Sequence, residues 1–456
     1  CTWVESTDHE YIARVNWFPD NSLAIQTQSR DQHQLKVRKF VLNDHTLNTI
    51  IEENSETWIN LHDMLKPMGL GRFLWVSERT GFKHIYLFSE GKLTAITKGE
   101  WQVDSIESID EDSGIIFFTG TKDGYTEKHL YRTCLEGKAV ERITAETGLH
   151  NVLLNGKAKL FVDIFNSLHS APTVTLKTLE IDSDIEIIIH ESKDERIKRY
   201  KLEPPELVKF TVDNGTELSG AIYYPNSKEF EPPYPTVLSV YGGPHVQMVA
   251  NSWFLTASMR AQYLRSKGYL VLVVDNRGSA RRGLQYEAPI KYSMGKVEVE
   301  DQVFALNVLI KTGVVDKDRI GVYGWSYGGY ISLMCLAQKP DLFKAAVSGA
   351  PVTSWDGYDT HYTERYMGIP SKNQAGYEES SVLSHVSTIE GKLMLVHGLL
   401  DENVHFRHTA RLINSLNAAG KEYDLLLFPE ERHMPRRLED RAYMERRILG
   451  FLEENV

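Results

Sequence analysis

Two patterns of apolar and polar residues divide this chain. Up to about residue 200, short runs in which apolar and polar positions alternate come in pairs separated by polar turns. The paired runs are 23–28 with 35–41, 73–77 with 84–88, 115–119 with 129–133, and 160–164 with 174–179. Alternation with period two marks half-buried β-strands. The pairs start about 42 to 50 residues apart, which is the spacing of four-stranded propeller blades. An open stack of hairpins with accidental spacing is the plainer alternative. About four blades are fewer than a closed ring of this blade size uses, so the first half reads as part of a propeller.

Lys201-Leu-Glu-Pro-Pro-Glu is a proline-bearing joint, and past it the pattern changes. Short strands, apolar on both faces, run at 236–241, 269–274, 320–323, 345–348, 393–396 and 424–428. Between them, 298–311 and 407–419 carry apolar residues at helical spacing, and Gly420 stands where a helix would end. Continuous apolar strands alternating with helices predict a doubly wound, mostly parallel sheet. The fold class expected is therefore α/β, with an all-β partial propeller over 1–200 and an α/β-hydrolase domain over 201–456.

Composition narrows the possibilities. The net charge is −11 with no basic stripe, which argues against a nucleic-acid partner. No apolar run reaches the roughly 18 residues of a membrane span. Cys1, Cys134 and Cys335 form neither a disulfide framework nor a metal-ligand pattern, which favours a reducing compartment. The chain opens on Cys1 rather than methionine and reads as folded material from the outset. It is thus expected to be a fragment, and its lack of a leader says nothing of secretion.

The sharpest chemical signal is Gly324-Trp-Ser326-Tyr-Gly328-Gly329. It lies between a buried strand and an apolar helix, the setting of a nucleophile elbow. Ser326 is the candidate nucleophile. A serine hydroxyl needs a base to take its proton, and in this fold class the partners follow in the order acid, then histidine, at later strand ends. The strand at 393–396 leads to Asp401, the first acid past its end, and the strand at 424–428 leads to His433. His397 and His405 stand in the wrong order, and Glu402 is the alternative acid. The backbone N–H of Tyr327 is the first candidate oxyanion donor. Tyr241, in Tyr241-Gly-Gly-Pro after an earlier strand, is either a second donor or a core tyrosine. The aromatic-rich stretch from Ala350 to Tyr366, with Val352, Trp355, Tyr358 and Tyr362, either lines an apolar pocket or is core.

Together, Tyr241-Gly-Gly-Pro, Asp275-Asn-Arg-Gly-Ser, Gly324-Trp-Ser-Tyr-Gly-Gly-Tyr, Tyr362-Thr-Glu-Arg-Tyr-Met-Gly and Asp401-Glu-Asn-Val-His-Phe resemble the prolyl oligopeptidase family, in its dipeptidyl peptidase IV branch. Glu10-Tyr-Ile-Ala-Arg and Thr57-Trp-Ile-Asn-Leu-His-Asp lean toward the branch's cytosolic 8 and 9 type. The resemblance covers nearly the whole chain. It implies a serine exopeptidase that releases Xaa-Pro or Xaa-Ala dipeptides from peptides with a free N-terminus. It assigns Tyr241 as oxyanion donor and makes Tyr327, Val352, Trp355, Tyr358, Tyr362 and Val404 a proline pocket, with Asn403 bonding the substrate carbonyl. It implies no metal or organic cofactor, a homodimer when intact, and the cytoplasm.

In these relatives a glutamate pair, aided by an arginine, holds the substrate ammonium. No stretch here matches that motif, and Glu52-Glu53 reads as solvated loop. The isolated chain is therefore expected to be a weak or unselective esterase. An acylaminoacyl peptidase or prolyl endopeptidase is the rival enzyme. A catalytically inactive binding relative is the rival of another class, opposed by the presence of Ser326, Asp401 and His433.

Overall fold

The structure is a computed structural model that describes residues 10–155, 159–180 and 185–456; Cys1 lies outside the described residues. The chain forms two compact units. The first comprises the described residues up to 199 together with 250–253 and 281–286. Arg281 is tied into it by Asp104, at 2.8 Å.

Among the described residues the first unit contains four sheets, each of four antiparallel strands joined in sequence order. The paired runs of the sequence are the second and third strands of each sheet: Leu23–Gln28 and Gln34–Val41, Phe73–Ser77 and His84–Ser89, Ile115–Gly120 and His129–Cys134, Leu160–Asn166 and Thr173–Thr178. Apolar layers fill the gaps between successive sheets. Ala24, Leu35, Val37 and Ile51 of the first pack against Phe73, Trp75 and Phe88 of the second. Leu74, Val76 and Ile85 meet Val103, Ile106, Ile116 and Phe118 of the third. Phe117 and Leu130 meet Val152 and Phe161 of the fourth. Face-to-face stacking of such sheets is propeller-like. The final strand, Glu186–Glu191, exposes Ile187, Ile188 and Ile189.

Glu52-Glu53 is not solvated loop but part of the strand Thr46–Asn54. Glu53 is buried and accepts hydrogen bonds from Trp75 Nε1 (2.8 Å), Ser77 Oγ (3.0 Å) and Arg79 Nη2 (2.6 Å). Alternation turns Glu53 inward while Glu52 faces out. Three donors offset the cost of burying its charge.

The second unit holds residues 200–249, 254–280 and 287–456. Its eight strands are β1 (Glu206–Thr211), β2 (Glu217–Tyr223), β3 (Tyr234–Val240), β4 (Leu270–Asp275), β5 (Val315–Trp325), β6 (Ala345–Gly349), β7 (Lys392–Gly398) and β8 (Asp424–Phe428). They form one sheet in the order β1-β2-β4-β3-β5-β6-β7-β8. Strand β2 is antiparallel to β1 and β4, and every later pairing is parallel. All of β4 is buried, whereas the edge strand β8 exposes Leu425. The helices that matter for the site are α1 (Val297–Lys311), α2 (Tyr327–Gln338), α3 (Thr360–Met367), α4 (Arg407–Ala418) and α5 (Leu438–Asn455). Among the described residues no helix is long and apolar enough to cross a membrane.

Candidate active site

Parallel strands carry their loops out at their carboxyl ends, where ligands bind in open α/β sheets. The residues expected to act together leave β5, β7 and β8 in that way.

Ser326 sits between β5 and α2 with φ +60° and ψ −118°, a conformation that non-glycine residues rarely adopt. The surrounding glycines explain how so sharp a turn is tolerated. A Cβ on Gly324 would overlap the backbone of Gly328, and one on Gly328 would overlap the carbonyl of Val240. The turn is further pinned by Ser326 N–H donating to Gly349 O of β6 at 2.8 Å. The result lifts the serine to the top of the sheet at the N-terminus of a buried twelve-residue helix, where the dipole favours negative charge.

Asp401 follows β7 and is buried. Its Oδ1 accepts the backbone N–H groups of Asn403 and Val404, both at 2.9 Å. Its Oδ2 lies 2.7 Å from His433 Nδ1 and 3.2 Å from His397 Nε2. Burial alone would raise this carboxyl, but the bonds from His397 and His433 prevail and hold it well below the usual carboxylate range. Glu402 points elsewhere and pairs with Arg432 at 2.7 Å on the surface.

His433 follows β8. Its loop is shaped by buried Glu431, which accepts the N–H groups of Arg436 (3.0 Å) and Arg437 (3.2 Å). The carbonyl of His433 accepts from Trp325 Nε1 at 2.8 Å, so the residue before Ser326 holds the histidine loop directly. Asp401 and His433 are thus brought into contact, and His433 is anchored beside Ser326. Among the described residues no hydrogen bond yet joins the Ser326 hydroxyl to the imidazole.

Sequence reasoning set His397 aside, yet it is a second donor to Asp401. Its Nδ1 contacts Thr409 Oγ1 (2.7 Å) and its Nε2 contacts Val404 O (2.9 Å). Its position four residues before the acid, at the end of a buried strand, was the available signal.

Around the elbow the expected pocket residues form one aromatic group. Tyr327 lies 5.4 Å from Trp355 and 6.2 Å from Tyr241, measured between ring centroids. Trp355 stacks on Tyr362 at 6.2 Å and meets the edge of Tyr358 at 6.0 Å. Val352, Trp355 and Val404 are almost wholly buried. Tyr358 donates to Asn403 Oδ1 at 2.9 Å, which leaves the Asn403 NH2 group as a donor. Burial pushes the Tyr241 phenol up, so it stays protonated and able to donate. A cavity of about 560 Å3 opens beside Tyr358, Tyr362 and Asn403.

In the first unit, Glu146, His150 and Asp163 are close enough together to hold a cation. Lys177 already supplies one, 3.1 Å from Glu146 and 3.3 Å from Asp163.

Residues 255–456 match the prolyl oligopeptidase family, and residues 2–172 match the dipeptidyl peptidase IV N-terminal region. Dipeptidyl peptidase 8 of Mus musculus is 36% identical over 98% of this chain and 58% of its own length. A probable dipeptidyl peptidase 4 of Aspergillus flavus is 31% identical over 94% of this chain and 57% of its own. The crystal structure of Porphyromonas gingivalis dipeptidyl peptidase 4 superposes with a TM-score of 0.90 at 29% identity, over 99% of this chain and 65% of that one. The chain therefore spans less than two thirds of the length of the mouse and Aspergillus relatives.

Proposed function

Because the chain belongs to the prolyl oligopeptidase family, we propose that it is the catalytic portion of a serine-type dipeptidyl peptidase that removes Xaa-Pro or Xaa-Ala from free peptide N-termini. The observation that carries the reading is the 2.7 Å contact of His433 Nδ1 with Asp401 Oδ2, beside a serine held at φ +60°. Asp401 fixes the imidazole with its proton on Nδ1, so Nε2 is free to accept the Ser326 proton. Ser326 Oγ then attacks the carbonyl carbon after the second residue. Charge gathers on the carbonyl oxygen, where Tyr327 N–H and the Tyr241 phenol donate. The imidazolium passes the proton to the leaving amine, and water releases the dipeptide by the same route in reverse. Tyr327, Val352, Trp355, Tyr358, Tyr362 and Val404 take the flat proline ring, and Asn403 donates to the substrate carbonyl.

The division into a partial propeller over 1–200 and a peptidase domain over 201–456 belongs to the same reading. So do a homodimeric full-length protein and a cytoplasmic location, which rest on the resemblance to the 8 and 9 type. Cys134 and Cys335, both unbridged, fit that compartment.

The test is hydrolysis of a Gly-Pro chromogenic amide by the full-length protein, with a free and with an acetylated N-terminus. The expected result is cleavage of the free-amine substrate alone, abolished by Ser326→Ala. Equal or better cleavage of the blocked substrate would move the enzyme to an acylaminoacyl or endopeptidase specificity. Activity surviving Ser326→Ala would end the reading.

A further inference from the structure

Behind the pocket, Glu298 stands in the first turn of α1 and has no exposed surface. Among the described residues no lysine, arginine or histidine pairs with it. Its acidic neighbour Asp301 is satisfied separately by Arg277, at 2.6 Å. What Glu298 does bind is specific. Oε1 accepts the Tyr327 hydroxyl at 2.6 Å, and both oxygens accept the Gly295 N–H, at 2.9 and 3.0 Å. Burial raises its carboxyl to about 7, against the lowering effect of these bonds.

A buried carboxylate without a cation is expensive, and an apolar side chain of similar size would remove the expense. A phenylalanine at 327 would in turn need no acceptor. The pair is therefore costly unless the direction of the Tyr327 ring matters. That ring touches the two surfaces that would decide selectivity: Trp355 on the pocket side and Tyr241 on the oxyanion side. Its other neighbour is also fixed, because the Tyr330 hydroxyl, on a ring 5.5 Å away, lies 2.9 Å from both Met294 O and Ser380 O and shares its single proton between them. Tyr327 is thus held at its tip by Glu298, at its face by Trp355 and at its root by the elbow.

We propose that Glu298 is a positioning residue for specificity: through the Tyr327 hydroxyl it holds one wall of the pocket at the width of a proline ring. It does not touch substrate. The inference deepens the dipeptidyl peptidase reading and rests on it. When the bond is lost, the ring can swing at its free end, and the pocket discriminates less between proline and smaller or more flexible residues.

The experiment compares Gly-Pro and Gly-Ala amides in the full-length protein, with rates expressed per active site titrated by a fluorophosphonate. In Glu298→Met the Tyr327 hydroxyl has no acceptor, and in Tyr327→Phe the hydroxyl itself is gone. Each is expected to lower the Pro-over-Ala ratio of kcat/KM roughly tenfold, the scale of a hydrogen bond to a charged group, mostly through KM. The double variant should show no greater loss than either single one, because both break one link. A ratio unchanged in Tyr327→Phe at full titre, or losses that multiply in the double variant, would overturn the proposal. Should Glu298→Met give no titratable sites, Tyr327→Phe decides alone. If the unmodified protein cleaves neither amide, the functional reading fails instead.

Discussion

Replacing Asp401 by asparagine probes the link on which the proposed chemistry depends. The amide would keep its oxygen toward the N–H groups of Asn403 and Val404, because both must be accepted. That places the NH2 group where Oδ2 now faces His433 Nδ1 at 2.7 Å. A donor there turns Nδ1 into an acceptor and moves the ring proton to Nε2, where it blocks removal of the Ser326 proton. His397 keeps Val404 O as a partner, so the loop itself should hold. The wrong tautomer in an otherwise intact triad lowers kcat about 10^4-fold in the best-studied serine peptidase, or roughly 5.5 kcal/mol of barrier. We expect a loss of three to four orders of magnitude in kcat (~10^3–10^4) with KM within about threefold. Stopped assays on Gly-Pro amide, with label uptake from a fluorophosphonate as a second readout, would measure it. If Asp401→Asn retained kcat within tenfold, Asp401 would not be the orienting acid, whatever its contact with His433.

Three further outcomes follow from the same geometry. Gly328→Ala forces a Cβ onto the Val240 carbonyl, so it should destabilise the second unit by several kcal/mol (~3 or more) or prevent folding, visible as lost soluble yield or a lower Tm. Tyr358→Phe removes the donor to Asn403 Oδ1 and should cost about 1 kcal/mol in kcat/KM for Gly-Pro, about fivefold, with little change in Tm. Glu298 binds its proton more tightly folded than unfolded, between the ordinary carboxylate value and about 7. Its contribution to stability therefore falls as pH rises through that window, by at most ~1.4 kcal/mol per unit. Denaturant titrations of the unmodified protein and Glu298→Met should show the variant gaining relative stability from pH 5 to 7 (about two units); a constant difference would refute the sign.

The sequence made the interior strands easy to read and the outer ones hard. In the first unit, the runs that stood out are the second and third strands of each sheet, which are flanked by partners and by apolar layers. The outer strands carry weaker signals because they are short, as at Lys92–Ala95 and Glu141–Arg142, or exposed, as at Glu186–Glu191. Ser326 was legible because its turn demands glycines at fixed offsets. Asp401 and His433 were legible because strand ends place them. Glu53 and Glu298 were not, since a charged residue in a sequence looks solvated until the tertiary structure supplies its donors. In both cases donors come from distant positions, Trp75 and Arg79 for the one and Tyr327 for the other, the last added to the nearby Gly295 N–H. His397 was missed for a related reason, because the order of residues along the chain says nothing of which carboxylate oxygen is shared.

The bond from Trp325 to the carbonyl of His433 spans 108 positions of sequence. Contacts of such range form only after the intervening β6, β7 and β8 are docked in register, since loop closure must precede their reward. The reactive centre is therefore a late product of folding, and a partly folded chain cannot possess it. Uptake of a serine-directed label becomes a clock for closure of the sheet: during refolding it should lag the recovery of secondary structure, and it counts only molecules whose last strands have arrived.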